Sequence, residues 1–275
     1  MSDNAAQIEF WNGQAGQTWV RAQEKMDAML ADLTTATIDR AAPKTAERVI
    51  DVGCGCGGTS IELAARGAAV WGIDISEPML ARAEQRASGL PEVHFTRTDA
   101  ASAAFEPEHD LVFSRFGVMF FANPAAAFAN LRTSLRPDGR LVFLCWRAAA
   151  ENPWIAVAGR AVQPFLPAPE TPPDPRAPGP FAFAEKDYLV EILRTAGYRN
   201  FAVEPLNGEL SLGGTLDEAL TFQGEIGPLS RVLAELDDEV KPIALQAARE
   251  ALMPYAHADG IRLAAACWLV HADAG

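Results

Sequence analysis

Residues 49–64 read VIDVGCGCGGTSIELA. Gly53, Gly55, Gly57 and Gly58 fall within six residues, after an apolar run and before a segment with helical spacing. A strand that enters a helix through glycines lets a ligand approach the main chain, with the N–H groups of the first helical turn facing it. The G-x-G-x-x-G formed by Gly53, Gly55 and Gly58 is shared by several nucleotide folds, so alone it does not name the ligand. Asp51 stands two residues ahead of the first glycine. An anion there repels a pyrophosphate and attracts an ammonium or a sulfonium. The loop therefore suits a ligand that carries positive charge and no phosphates.

Outward from the loop, strand and helix signals alternate. Residues 48–52, 68–73, 93–98, 110–114 and 140–146 read as strands, and residues 57–66, 76–87 and 124–135 as helices. Gly67 stands where a helix ends, Ser76 is positioned as an N-cap, and Arg136-Pro137-Asp138-Gly139 reads as a turn. This alternation predicts an α/β fold, doubly wound, with a mostly parallel seven-stranded sheet. Upstream, residues 19–38 carry Met26, Met29, Leu30 and Leu33 at helical spacing. Downstream, the proline-rich stretch 167–180 reads as a surface loop or lid. A helix over 185–195, strand pieces over 201–212, helices over 216–235 and 241–255 broken by Gly224, Gly227 and Pro228, and a closing strand over 262–271 follow. The implied division is an N-terminal helical lid (1–44), a cofactor-binding α/β domain (45–213 and 257–275) and a helical cap insertion (214–256) contributing to a substrate pocket.

The chain has 275 residues, 49% of them hydrophobic, enough for a well-buried core. Thirty-six acidic side chains against 23 basic ones give a net charge of −13, a balance that disfavours a nucleic-acid surface. The four cysteines, Cys54, Cys56, Cys145 and Cys267, read as buried reduced thiols. The four histidines are scattered without ligand spacing, so no metal is expected. No membrane span and no signal peptide are visible, and a soluble cytoplasmic location is the expectation.

Two further carboxylates fit the glycine loop. Asp74 ends the second predicted strand, 19 residues after Gly55, and can accept hydrogen bonds from both hydroxyls of a ribose. Asp99 follows the third strand and can accept from an exocyclic amine. The ends of adjacent parallel strands line one crevice, so both reach one ligand.

The segments VIDVGCGCG, GIDIS, TRTDA and DLVFSRFGVMFF resemble the class I S-adenosylmethionine-dependent methyltransferases. The likeness is clear over residues 45–146 and looser toward the ends, where a bacterial small-molecule subgroup similar to quinone-biosynthesis-type methyltransferases is suggested. It implies a Rossmann-like fold and a role for each matching position. Gly53, Gly55 and Gly57 would lie against the methionine part of the cofactor, with Asp51 holding its amino group through water. Asp74 would take the ribose hydroxyls, Ile75 and Met79 would flank the adenine, and Asp99 with the N–H of Ala100 would read the adenine edge. Ser114 and Arg115 would border the methionine tail and the reacting methyl. Cys56 departs from the threonine or serine common at its position. Trp11 and Trp19 are candidates to fold over the cofactor, where an aromatic face attracts a sulfonium.

The implied reaction is in-line displacement of a methyl group from S-adenosylmethionine onto a small-molecule acceptor, releasing S-adenosylhomocysteine. A general base is needed only for an acceptor that holds its proton tightly. Tyr255, His257 and Arg115 are the candidate catalytic residues. An NAD(P)-dependent oxidoreductase is the alternative, ranked lower because Asp51 disfavours pyrophosphate and no Tyr-x-x-x-Lys pair follows the fourth strand. A non-catalytic cofactor-binding protein on the same fold is a third reading, and a homodimer is left open.

Overall fold

The computed structural model describes residues 4–166, 174–226 and 228–275. In chain order its helices are α1 (Ala5–Asn12), α2 (Gln14–Ala41), α3 (Gly58–Ala65), α4 (Glu77–Arg86), α5 (Pro124–Thr133), α6 (Pro153–Val162), α7 (Lys186–Thr195), α8 (Leu216–Glu225), α9 (Pro228–Glu235) and α10 (Lys241–Leu252). The strands are β1 (Arg48–Val52), β2 (Ala69–Asp74), β3 (Val93–Arg97), β4 (His109–Arg115), β5 (Leu135–Trp146), β6 (Arg199–Gly213), β7 (Ala256–His257) and β8 (Gly260–Asp273). Two compact units result.

The first unit comprises Met1–Trp146, Pro175–Leu206 and Cys267–Gly275. The strand order is β3-β2-β1-β4-β5-β8-β6. Strands β1 to β5 run parallel, and β8 pairs antiparallel with β5, from Arg140 opposite Asp273 to Trp146 opposite Cys267. The sheet is thus mostly parallel, as expected. Its central strands read as unbroken apolar runs because both faces are covered: Val49, Ile50, Leu111, Val112, Phe113, Leu141, Val142 and Phe143 are wholly buried. A half-buried charged clamp ties α2 to this sheet. Arg140 on β5 donates to Ala41 O at 3.0 and 2.8 Å and pairs with Glu47 at 2.8 Å.

The second unit comprises Arg147–Asp174 and Asn207–Ala266. It holds α6, α8, α9 and α10 around Trp154, Ala158, Phe222, Ala244 and Leu252, all buried. Buried Asn152 donates to Ala266 O at 3.0 Å and accepts from Ala266 N at 2.9 Å. This reciprocal pair substitutes for a missing strand neighbour. Among the described residues no helix is long and apolar enough to cross a membrane.

Two local expectations need correction. The turn expected at 136–139 lies inside β5: Leu135 pairs with His109 and Arg140 with Leu111, so the extra residues bulge out of one continuous strand. Ser76 precedes α4 as an N-cap should, but its hydroxyl donates to Trp11 O at 2.7 Å and makes no cap bond. The break read within the helical stretch 216–235 is observed: α8 ends at Glu225 and α9 begins at Pro228. Of the proline-rich stretch, residues 167–173 lie outside the described residues.

Candidate cofactor site

At the carboxyl end of β1 the chain turns sharply. Gly53 has φ +65°, and a Cβ there would stand 2.7 Å from Gly117 Cα. Part of the demand for glycine is therefore made by the protein's own main chain: the loop after β1 and the loop after β4 touch backbone to backbone. The loop is then tied to β2, since Gly55 N donates to Asp74 Oδ2 at 2.8 Å. Ser76 N donates to Asp74 Oδ1 at 2.8 Å. Each Asp74 oxygen retains a lone pair beyond these main-chain bonds. Burial raises the Asp74 pKa, opposed by the N–H groups of Ser76 and Gly55.

Asp51 is wholly buried in β1. The hydroxyls of Thr59 and Ser60, in the first turn of α3, both donate to its Oδ2 at 2.6 Å. Its Oδ1 is buried with no hydrogen-bond partner. Burial raises its pKa to about 6, against the lowering effect of the two hydroxyls and of Arg115. A buried acceptor without a donor costs about 1–3 kcal/mol, and an ammonium, directly or through water, would satisfy it. Cys54 and Cys56 are buried beside it; burial pushes the Cys56 thiol up to about 12, so it is a neutral packing group.

Asp99 lies two residues beyond β3. Its Oδ1 accepts from Ala101 N at 3.0 Å and from Asn4 Nδ2 at 3.2 Å. Ala100 is buried, and its carbonyl accepts from Asn130 at 2.9 Å. Helix α1 lies along the same line. Asn12 donates to Ile75 O at 2.9 Å and accepts from Glu77 N at 3.0 Å. Trp11 meets Trp19 and Phe120 edge to face, with ring centroids 5.8 and 5.2 Å apart. Met79, on α4, is buried, and its Cε would lie 2.8 Å from a Cβ at Gly55. The structure therefore gathers Trp11, Trp19, Gly55, Asp74, Ile75, Met79, Asp99 and Ala100 along one continuous path.

Arg115, at the end of β4, donates to Thr34 Oγ1 at 2.7 Å and lies 3.8 Å from Asp27 Oδ1, both on α2. Asp27 also takes Arg86 at 2.7 Å, and Arg86 donates to Cys56 O at 2.6 Å. Burial lowers the Arg115 pKa, opposed by Asp27, Asp51 and Glu62. Ser114 is buried and donates to Val52 O at 2.8 Å, so its hydroxyl faces the sheet. Tyr255 and His257 belong to the second unit, Tyr255 half-buried and His257 exposed in β7.

Sequence reasoning missed Asn4, Asn12, Thr34, Asp27 and Arg86, whose partners lie 30 to 95 positions away. It also missed the geometry of Phe116. This residue has φ +63° and stacks on Trp146 at 4.1 Å, 7° from parallel. A phenylalanine holds that backbone conformation only when its surroundings over-determine it.

A family model described as a methyltransferase domain matches residues 49–139. The chain is 36% identical over 108 residues to a demethylmenaquinone methyltransferase of Clavibacter sepedonicus, covering 39% of this chain and 44% of that one. It is 41% identical over 113 residues to a trans-aconitate 2-methyltransferase of Methylobacterium nodulans, covering 40% of this chain and 41% of that one. The matched part thus spans less than half the length of either relative. A phosphoethanolamine N-methyltransferase of Haemonchus contortus, solved with S-adenosyl-L-methionine, superposes with a TM-score of 0.58 over 96% of this chain and 59% of that one, at 19% identity. At that identity the likeness speaks for the fold.

Proposed function

We propose that the chain, whose residues 49–139 match the methyltransferase-domain model, moves a methyl group from S-adenosylmethionine to a small-molecule acceptor. The observation that carries this reading is the charge of the crevice. Asp51, Asp74 and Asp99 stand on or just beyond three adjacent parallel strands, and the loop between them suits a cation and repels pyrophosphate. Asp51 Oδ1, buried without a donor, is the acceptor that the cofactor's amino group requires. The free lone pairs of Asp74 suit the ribose hydroxyls.

When bound, the cofactor supplies an electrophilic methyl on a sulfonium whose departure leaves a neutral thioether. The chain's own contribution is alignment and exclusion of water, for which about 7–11 kcal/mol is available when the geometry is near attack. Arg115, fixed by Thr34 and Asp27, is assigned to the carboxylate end of the cofactor. The two relatives named above act on a quinone precursor and on trans-aconitate by name. Two acceptors so different in shape and charge imply that acceptor choice lies outside residues 49–139.

S-adenosylhomocysteine at about 100 times its Kd is expected to stabilise the chain by about 2.7 kcal/mol, a rise in Tm of about 5–10 °C, while NAD leaves the Tm unchanged. A shift with NAD and none with S-adenosylhomocysteine would sink the proposal. Transfer of labelled methyl to an acceptor pool then separates an enzyme from a binding protein.

The Asp51 pKa of about 6 sets a pH dependence. Below that pH the carboxyl holds its proton and loses its attraction for an ammonium, so S-adenosylhomocysteine affinity is expected to fall by up to about tenfold per pH unit. Asp51→Asn should flatten that profile in a calorimetric titration from pH 8 to 5. In the ligand-free chain the same shift has the opposite sign. The folded state binds the proton more tightly than the unfolded one, whose pKa is near 3.8, so the share of Asp51 in stability rises as pH falls through that window. Burial lowers the basicity of His94, His109 and His271, which pulls stability the other way, so binding and not melting is the readout.

A further inference from the structure

Asn4 occupies the N-cap position of α1, yet its side chain makes no cap bond. An asparagine there ordinarily turns its Oδ1 back onto the N–H groups of the first turn. Here the amide is turned outward. Its Nδ2 donates to Asp99 Oδ1, which fixes the orientation because an ionised carboxylate only accepts. Asn4 Oδ1 is thereby left buried with no partner, on a residue 6% exposed. Gln7, three positions on and so on the same side of the helix, likewise has a buried Oε1 without a partner. Among the described residues no hydrogen bond reaches Asp99 Oδ2. Asp99 Oδ2 and the adjoining Asn4 Oδ1 are thus two acceptors with no donor to meet them, a place for a ligand group that donates two N–H bonds and accepts none.

Resting on the methyltransferase reading above, we propose that the start of α1 is part of the cofactor site itself: the carboxamide of Asn4 joins Asp99 in reading the exocyclic amine of the cofactor's purine. The amine carries two hydrogens, which the Asp99 carboxylate and the Asn4 oxygen would share. The seat of α1 fits this role. Its other end is pinned by Asn12 to Ile75 O and Glu77 N and by Trp11 O to Ser76, so the turn carrying Asn4 and Gln7 is held over the strand ends and does not trail into solvent. Binding of the purine and docking of α1 then support each other, because the ligand satisfies the Asn4 oxygen that is otherwise buried unpaired.

The test compares S-adenosylhomocysteine with S-inosylhomocysteine, in which a carbonyl oxygen replaces the amine, by calorimetry on the full chain. The parent chain is expected to prefer the adenosyl compound by about 100-fold or more, since an acceptor would face acceptors. Asn4→Ala should weaken S-adenosylhomocysteine by about 3- to 10-fold and leave S-inosylhomocysteine unchanged, so the preference narrows by the same factor. Asn4→Ser, which can cap α1 but is too short to reach the purine amine, should narrow the preference likewise, and serves alone if Asn4→Ala does not fold. Equal weakening of both compounds would mean that Asn4 merely packs, and unchanged affinities would remove it from the site; either result overturns the proposal while the methyltransferase reading stands. Absence of S-adenosylhomocysteine binding in the parent chain would remove that reading as well.

Discussion

Asp74→Ala is expected to weaken S-adenosylhomocysteine by about 100-fold or more while the chain remains folded. Two charge-assisted hydrogen bonds to ribose hydroxyls contribute about 1.5–3 kcal/mol each, and every 1.4 kcal/mol is about tenfold. The same carboxylate holds Gly55 N and Ser76 N at 2.8 Å. The substitution therefore also frees two main-chain donors at the mouth of the loop, where water can reach them because Asp74 is only partly buried. Asp74→Asn gives a sharper comparison. Its amide NH2 must point at one of those two N–H groups, a donor against a donor, so it should lose affinity and also lower Tm. Calorimetry reads the first effect and a thermal melt the second. A folded Asp74→Ala chain with parent affinity would end the ribose assignment.

Gly53→Ala is expected to lower Tm by about 5–10 °C, at about 2–4 °C per kcal/mol in a chain of this size. Two costs add. A left-handed conformation disfavours any side chain by about 1–2 kcal/mol, and overpacking against a backbone that cannot yield costs about 1–3 kcal/mol more. The neighbour here is Gly117 Cα, 2.7 Å from the added carbon, and not the end of a flexible side chain. Gly89→Ala isolates the first cost. Gly89 has φ +90° and nothing within 4 Å of its missing Cβ, so that variant should lose only about 1–2 kcal/mol. Equal melting temperatures for the two variants would show that the loops after β1 and β4 are not in obligatory contact.

Much of the first unit was legible because its signals are local. In β1 (RVIDV) the apolar Val49, Ile50 and Val52 stand before a glycine turn, and the predicted bounds are those observed. Alternation of strand and helix then fixes a parallel sheet. The bulge in β5 escaped because Pro137-Asp138-Gly139 has turn chemistry wherever it stands, and only pairing with Leu111 and His109 shows the strand resuming. Helix α1 escaped for a related reason: AAQIEFWN carries no apolar stripe, and tertiary hydrogen bonds to Ile75, Ser76 and Asp99 hold it in place. The acidic residues at the strand ends could be found by position. Their partners could not, since Asn4, Thr34 and Asp27 sit on helices whose approach depends on the whole sheet having formed.

The Arg140 clamp has a mechanical consequence. Helix α2 has 28 residues and is gripped at its carboxyl end, where Arg140 binds Ala41 O. At 1.5 Å per residue it is a rod about 42 Å long. A tilt of about 2° at the grip would displace the far end, where Gly13 hands the chain to α1, by about 1.5 Å, half the span of a hydrogen bond, were it not braced along its length by Gln23 to Arg82, Asp27 to Arg86 and Thr34 to Arg115. Those bonds are therefore what keeps a long lever still, and losing them would let a small rearrangement at the junction of β5 with α2 reach the contacts that α1 makes with the strand ends.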